Sequence, residues 1–345
     1  MAALNWGLGH AARCIPIISE LEKQGFEPFL ASDGEALLLL EKEFPHLESF
    51  RLPSYNIEYS TKGSLLKWKL FLETPAILQA IKAEKKMTSR IVEKCNINGI
   101  ISDSRFGVRH AHLKNVFITH QLNVLSGNTT YLSSKLHQKY IRKFDQCWVP
   151  DMPGSKNLSG LLGHMKKEPE NIKYIGPISR FEKKDLPLRQ DYLVLLSGPE
   201  PQRSLLEDIL LKELQKTEKN VLFVRGVMKE DEMVSPRANF NIRNYMYGAE
   251  LEEALNSSRM IISRSGYTTL MDLAKLEKKA FFIPTPGQFE QEYLAERLMK
   301  LGITPYCAQK DFSIEKLKET ANYTGLRSFG FEPSFRELFA FFKSE

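Results

Sequence analysis

Seven residues, Ser263-Arg264-Ser265-Gly266-Tyr267-Thr268-Thr269, crowd four aliphatic hydroxyls, a guanidinium and a glycine into one turn. Where such a turn opens a helix, backbone N–H groups and the positive end of the helix dipole suit a phosphate. Ser197-Gly198 ahead of Arg203 is a second candidate cradle, and Arg225 stands before Gly226 further on. A guanidinium pairs well with a diphosphate, so Arg203 and Arg264 are candidates to steady a leaving diphosphate. Near the start, Asn5-Trp6-Gly7-Leu8-Gly9-His10 has two glycines that permit a tight turn and close backbone approach, then an imidazole that titrates near neutral pH. His10 is thus a candidate general base, with a structural or phosphate-binding role as the alternative. Asp103 precedes Ser104 and Arg105; if it reaches His10 it fixes the tautomer, and otherwise it caps a following helix. His120, beside Gln121, is the second base candidate.

These residues need strands and helices to aim them. Ile261-Ile262 ends a buried strand, Thr268 or Thr269 is expected to cap a helix from about Leu270 to Leu276, Phe281–Ile283 is a strand, and Glu290–Leu301 an amphipathic helix. That alternation is a right-handed crossover unit, whose polar turns fall at the carboxyl ends of the strands, where open α/β sheets bind ligands. The first half repeats the alternation. A stunted first strand precedes a helix over 11–24 with Pro16 in its first turns. Strands follow near 27–32, 50–52, 98–102, 116–119, 147–149 and 173–175, and helices near 34–43, 64–94 and 128–143. Residues 54–63 read as a surface loop. Phe335, Leu338, Phe339 and Phe342 mark a terminal helix. The expected fold class is α/β. A first domain covers 1–178, a linker 179–190, a second domain 191–328, and a terminal helix lies in 329–345.

The Ser263–Gln291 block resembles the donor-sugar signature of GT-B glycosyltransferases, specifically the C-terminal domain of glycosyltransferase family 28, the family of the peptidoglycan lipid II N-acetylglucosaminyltransferases. The resemblance implies two Rossmann-like domains facing each other across a cleft, with the last helix returning to the first. It implies that Ser263, Arg264, Ser265, Gly266, Thr268 and Thr269 face the nucleotide diphosphate. Asp272 would hold the ribose, where the family more often has Glu, and Gln291 would hold sugar hydroxyls. Ala295 replaces the family's Asn, a departure that bears on which sugar is used. Ser197, Gly198, Arg203 and Arg225 would line the donor phosphates, and 244–251 would pack against the base. Gly7–His10 matches the glycine-rich first loop on the acceptor side, so Asn5, Trp6, Gly7, Gly9, His10, Arg105 and Gln121 are expected to bind the acceptor. The implied reaction moves a sugar from a nucleotide-diphosphate sugar, expected to be a UDP-sugar, to a hydroxyl of a lipid-linked or cell-envelope glycan. Inversion is the implied outcome. No D-x-D triplet occurs, so no essential metal and no cofactor is expected. A nucleotide-sugar 2-epimerase and a non-catalytic nucleotide-sugar-binding protein are the alternatives.

The chain has 345 residues, enough for two cores, with net charge +6. Residues 51–150 carry 16 Lys or Arg against 6 Asp or Glu, which points to an anionic partner of the first half. A diphosphate-bearing acceptor or the inner membrane surface fits better than nucleic acid, for which no motif appears. Leu65–Leu72, including Trp68, is both apolar and basic and suits a membrane surface or core packing. The four cysteines lack metal spacing, and no bilayer-spanning run or leader is evident, so a cytoplasmic location is expected, on the membrane's cytoplasmic face if associated.

Overall fold

The computed structural model describes residues 1–55, 66–227, 234–327 and 333–343, with backbone alone over 66–76. Residues 56–63 of the expected surface loop, and the Trp68 side chain, fall outside these residues. Two units are present: among the described residues the first takes 1–180 together with 333–343, and the second 181–327.

The first unit is built on seven parallel strands in the order β3-β2-β1-β4-β5-β6-β7, namely Ser49–Arg51, Leu30–Ser32, Ala2–Ala3, Gly99–Asp103, Lys114–Ile118, Gln146–Val149 and Ile172–Tyr174. β1 is only two residues long, yet it pairs on both sides, Ala2 with Ala31 and Ser102, and Ala3 with Asp103. Successive side chains of a strand point to opposite faces. Accordingly Ala3 packs with Ala11, Ile15 and Ile18 of α1 (Gly9–Lys23) and Leu40 of α2 (Gly34–Glu43), while Ala2 packs with Ile91 of α3 (Leu66–Cys95). α3 is one continuous helix. α1 begins two residues earlier than its pattern suggests, which moves Pro16 out of the first turns.

α4 (Thr130–Ile141) precedes β6, and α9 (Phe335–Lys343) closes the first unit. The Phe339 ring is fully buried against Ile17, Leu21 and Trp148. Lys114 Nζ donates to the Phe341 carbonyl at 2.9 Å, which satisfies one of the terminal carbonyls of α9.

The second unit has five parallel strands in the order β10-β9-β8-β11-β12: Phe240–Arg243, Val221–Val224, Gln190–Leu195, Ser258–Ser263 and Lys279–Phe282. α5 (Gln202–Leu214), α6 (Gly248–Asn256) and α7 (Tyr267–Lys275) lie between strands, and α8 (Phe289–Lys300) follows β12. The stretch expected as a linker runs along α6: Glu182 N–H donates to Glu252 and Lys184 N–H to Asn256, both at 2.9 Å. α7 starts three residues before the expected position. Gly266 is its N-cap, so Thr268 and Thr269 sit inside the first turn and do not cap it. No helix among the described residues is long and apolar enough to cross a membrane.

A methyl group added at Gly99 would lie 2.4 Å from the Phe342 ring, pushing α9 off the sheet. Gly99→Ala is expected to lower stability by about 1–3 kcal/mol, and Phe339→Ala by about 3–5 kcal/mol, read from urea unfolding of the full chain. Unchanged midpoints would show that α9 contributes little to this core.

Candidate active site

The carboxyl ends of β1, β4 and β5 bring together residues that are 90 or more positions apart. His10, in the first turn of α1, faces Asp103 at the end of β4, with Nδ1 2.6 Å from Oδ1. Asp103 is fully buried and is also gripped by Arg13: Nη2 reaches Oδ1 at 2.5 Å, and Nε donates to Oδ2. Burial alone would raise the Asp103 carboxyl. The Arg13 charge, then that of His10, and the hydrogen bonds from both outweigh it and hold the group far below the usual carboxylate range. Asp103 is therefore an acceptor, His10 Nδ1 must donate to it, and His10 Nε2 is the basic nitrogen. Burial, and next the Arg13 charge, lower the His10 pKa against the opposing pull of Asp103, so the ring is neutral at neutral pH. Asp103 thus reaches the imidazole it can orient, and no helix follows Gly107 for it to cap.

His120, at the end of β5 and nearly buried, has Nδ1 3.1 Å from Arg13 Nη1. A guanidinium only donates, so this nitrogen accepts and the ring proton belongs on Nε2. Gln121 follows, with its N–H on Thr119 Oγ1 at 3.1 Å. In the first loop, Trp6 is 42% exposed, Gly7 has φ +75° with open space beside it, and Gly9 opens α1.

Two expected acceptor residues are committed to the fold instead. Arg105 is wholly buried and donates to Glu84 at 2.6 Å, Asp33 at 2.5 Å and the carbonyls of Ala3 and Pro53, which leaves no face for a substrate. Asn5 is spent on α2: its Oδ1 accepts from Ala36 N–H and its Nδ2 donates to Asp33, both at 3.3 Å.

In the second unit the expected donor residues gather at the carboxyl ends of β8, β9 and β11, but three arginines are otherwise engaged. Arg264 is 1% exposed and donates to the carbonyls of Gln202, Ile283 and Pro284 and to Gln309 Oε1. Burial lowers its pKa to about 10. Arg203 pairs with Glu200 and Glu207, and Arg225 with Glu207 and Asn244, tying α5 to the ends of β9 and β10. Each of these guanidiniums is held by protein groups, contrary to the expectation that Arg203, Arg225 and Arg264 face the diphosphate. The serine hydroxyls also turn inward, Ser263 to the Arg264 carbonyl and Ser265 to the Gln291 carbonyl.

What the turn does present is backbone. The first helical bond of α7 runs from Leu270 N–H to the Gly266 carbonyl, so the N–H groups of Tyr267, Thr268 and Thr269 precede the helical ladder. Beside Gly266 the space is open, the nearest atom being Thr269 Oγ1 at 4.0 Å. Gly198, with φ +107°, is likewise open, next to Ser197. Asp272 is half-buried on α7, and Gln291 Oε1 accepts from Thr285 N–H at 2.8 Å.

Residues 193–324 match the model of the glycosyltransferase family 28 C-terminal domain. An uncharacterised glycosyltransferase of Methanopyrus kandleri is 23% identical over 87% of this chain and 89% of its own. A UDP-N-acetylglucosamine--N-acetylmuramyl-(pentapeptide) pyrophosphoryl-undecaprenol N-acetylglucosamine transferase of Haemophilus ducreyi is 25% identical over 90% and 84%. Among solved structures, MurG of Acinetobacter baumannii superposes with TM-score 0.58 at 14% identity over 99% and 98% of the two chains, and the calicheamicin glycosyltransferase CalG4 with 0.60 at 12% over 93% and 88%. The chain is a glycosyltransferase of the GT-B fold whose residues 193–324 resemble the family 28 C-terminal domain.

Arg13 is the residue that sequence reasoning missed in this glycosyltransferase. A signal was present: His10 and Arg13 are three apart on one helix, which puts them on the same face. Glu84 and Asp33, the partners of Arg105, carry no local signal, because only the folded sheet brings them together.

The first unit also holds His137, wedged between Phe106 and Phe117, where burial lowers its pKa to about 4. His10 and His137 are both neutral in the folded protein, whereas unfolded histidine titrates near 6.5. The stability they contribute is complete above about pH 6.5 and is lost as pH falls toward the folded values, at up to about 1.4 kcal/mol per pH unit per histidine. Urea unfolding at pH 7, 6 and 5 should show this decline, and His137→Phe should flatten it. An equal slope in the variant would contradict the assignment.

Proposed function

We propose that this glycosyltransferase moves a sugar from a UDP-sugar to a hydroxyl of a lipid-linked, diphosphate-bearing acceptor, with inversion and without a metal. The observation that carries this reading is the 2.6 Å contact between His10 Nδ1 and a buried, ionised Asp103. It makes His10 Nε2 a general base, neutral at working pH. His10 takes the acceptor proton as the oxygen attacks the anomeric carbon, and the nucleotide diphosphate leaves from the opposite side. One displacement inverts the centre. With the arginines engaged elsewhere, the leaving diphosphate is held by backbone N–H groups at the start of α7 and by its helix dipole, with Thr268 and Thr269 alongside. Asp272 takes the ribose and Gln291 the sugar.

The donor and acceptor classes draw support from the Haemophilus ducreyi relative, whose name specifies UDP-N-acetylglucosamine and a pyrophosphoryl-undecaprenol acceptor. α4 supports a membrane-proximal acceptor: Tyr131 and Leu132 are each 70% exposed, Lys135 lies over the Tyr131 ring, and Lys139 and Lys143 are exposed further along the chain. Apolar side chains bordered by lysines suit an anionic lipid surface.

UDP is expected to raise the melting temperature of the protein equally with and without EDTA, and Asp272→Ala to abolish the rise. His10→Ala is expected to keep the rise while lowering turnover about 10²–10⁴-fold. A thermal shift that needs magnesium, or full turnover by His10→Ala, would overturn the respective part of the proposal.

A further inference from the structure

Two imidazoles stand beyond the carboxyl ends of β1 and β5, the strands on either side of β4, and residue type does not say which of them is the base. Arg13 lies between them. Its Nη2 is 2.8 Å from His10 Nδ1 and 2.5 Å from Asp103 Oδ1, and its Nη1 is 3.1 Å from His120 Nδ1. The side chain is almost wholly buried, so these contacts are not screened by solvent.

We propose that Arg13 is a positioning residue that assigns different roles to the two histidines: it locks Asp103 against His10 Nδ1, which leaves His10 Nε2 as the base, and it donates to His120 Nδ1, which makes His120 an Nε2–H donor. The inference rests on the reading of His10 as the base. The reasoning is one of donors and acceptors. Arginine cannot accept and does not lose its proton, so an atom it addresses must accept unless an acceptor-only group claims that atom's proton. Asp103, ionised and able only to accept, takes hydrogen bonds from Arg13 on both oxygens; His10 Nδ1 lies 2.6 Å from Oδ1 and 2.8 Å from Arg13 Nη2, and since two lone pairs cannot face each other at 2.6 Å, Nδ1 carries a proton and both it and Nη2 donate to Oδ1. The ring nitrogen of His120 that meets Arg13 cannot carry a proton, so its other nitrogen does. His120 then donates to an oxygen and does not take a proton from one.

The charged and titratable groups around His10 are Arg13 on α1, Asp103 on β4 and His120 after β5; Cys14 of α1 touches Asp103 Oδ2 at 3.8 Å. Of these, Asp103 favours an imidazolium and Arg13 opposes it. Removing the guanidinium charge while keeping Asp103 therefore raises the pH at which His10 protonates.

The test is ¹⁵N NMR of the histidine rings in the full chain, which separates the two neutral tautomers and gives titration midpoints. The wild-type protein is expected to show His10 as the Nδ1–H tautomer and His120 as the Nε2–H tautomer. Arg13→Met should raise the His10 midpoint by about one pH unit or more, a tenfold change in its protonation equilibrium. Arg13→Lys keeps the charge but loses the fork, so the midpoint should stay near wild type while His120 becomes a mixture of tautomers. A wild-type His120 in the Nδ1–H form, or a His10 midpoint unmoved in Arg13→Met, overturns the proposal. A role in folding alone would lower the melting temperature without moving either readout, and the wild-type spectrum decides the tautomers even if the variants do not fold. The turnover of His10→Ala tests the base reading separately, because the spectra require no substrate.

Discussion

A charged carboxylate with no exposure to water is the constraint on which the first unit depends. Asp103 sits at the end of the central β4, and an isolated charge there would cost many kcal/mol or be neutralised. Arg13 and His10 offset that cost, and both come from the first turns of α1. This requires α1 to start as soon as β1 ends, with a short loop and a glycine at the turn. A two-residue β1 is enough because Ala2 is paired on both sides, Ala3 is paired with Asp103, and both are buried.

A second buried network performs a purely architectural task beside it. Arg105 links Glu84 on α3, Asp33 before α2 and the carbonyls of Ala3 and Pro53. It thereby ties four segments of the first unit to the strand end that carries Asp103. In the second unit, the Arg203–Glu207–Arg225 set and the buried Arg264 do the same for α5, β9 and β11. In both units the arginines organise the strand ends, and the contacts proposed for ligands are those of an imidazole and of backbone N–H groups.

Much of this was legible in the sequence, and the limits have physical reasons. Alternating apolar runs and polar turns located nearly every strand and helix, because buried parallel strands are short, continuous and apolar. The Ser263–Thr269 turn and the Gly7–His10 loop were visible because glycines and hydroxyls cluster there. The pairing of His10 with Asp103 was legible only as a condition, since strand order decides which carboxyl ends adjoin. Arg105, Arg203 and Arg264 were misjudged for one reason: a guanidinium beside a candidate site looks the same in sequence whether it faces a ligand or a buried carboxylate or carbonyl. Only the count of its partners separates the two.

The measurement that bears most directly on the account is the pH profile of kcat/KM for Asp103→Asn against wild type, with the UDP-sugar that stabilises the protein most. The account predicts that wild type reaches its plateau by neutral pH, since His10 is neutral there. Asp103→Asn, unable to hold the Nδ1–H tautomer or offset Arg13, should fall about 10²–10⁴-fold at every pH while still binding UDP. A variant that keeps wild-type kcat/KM on the plateau would contradict the account, because Asp103 would then be structural and the base would lie elsewhere.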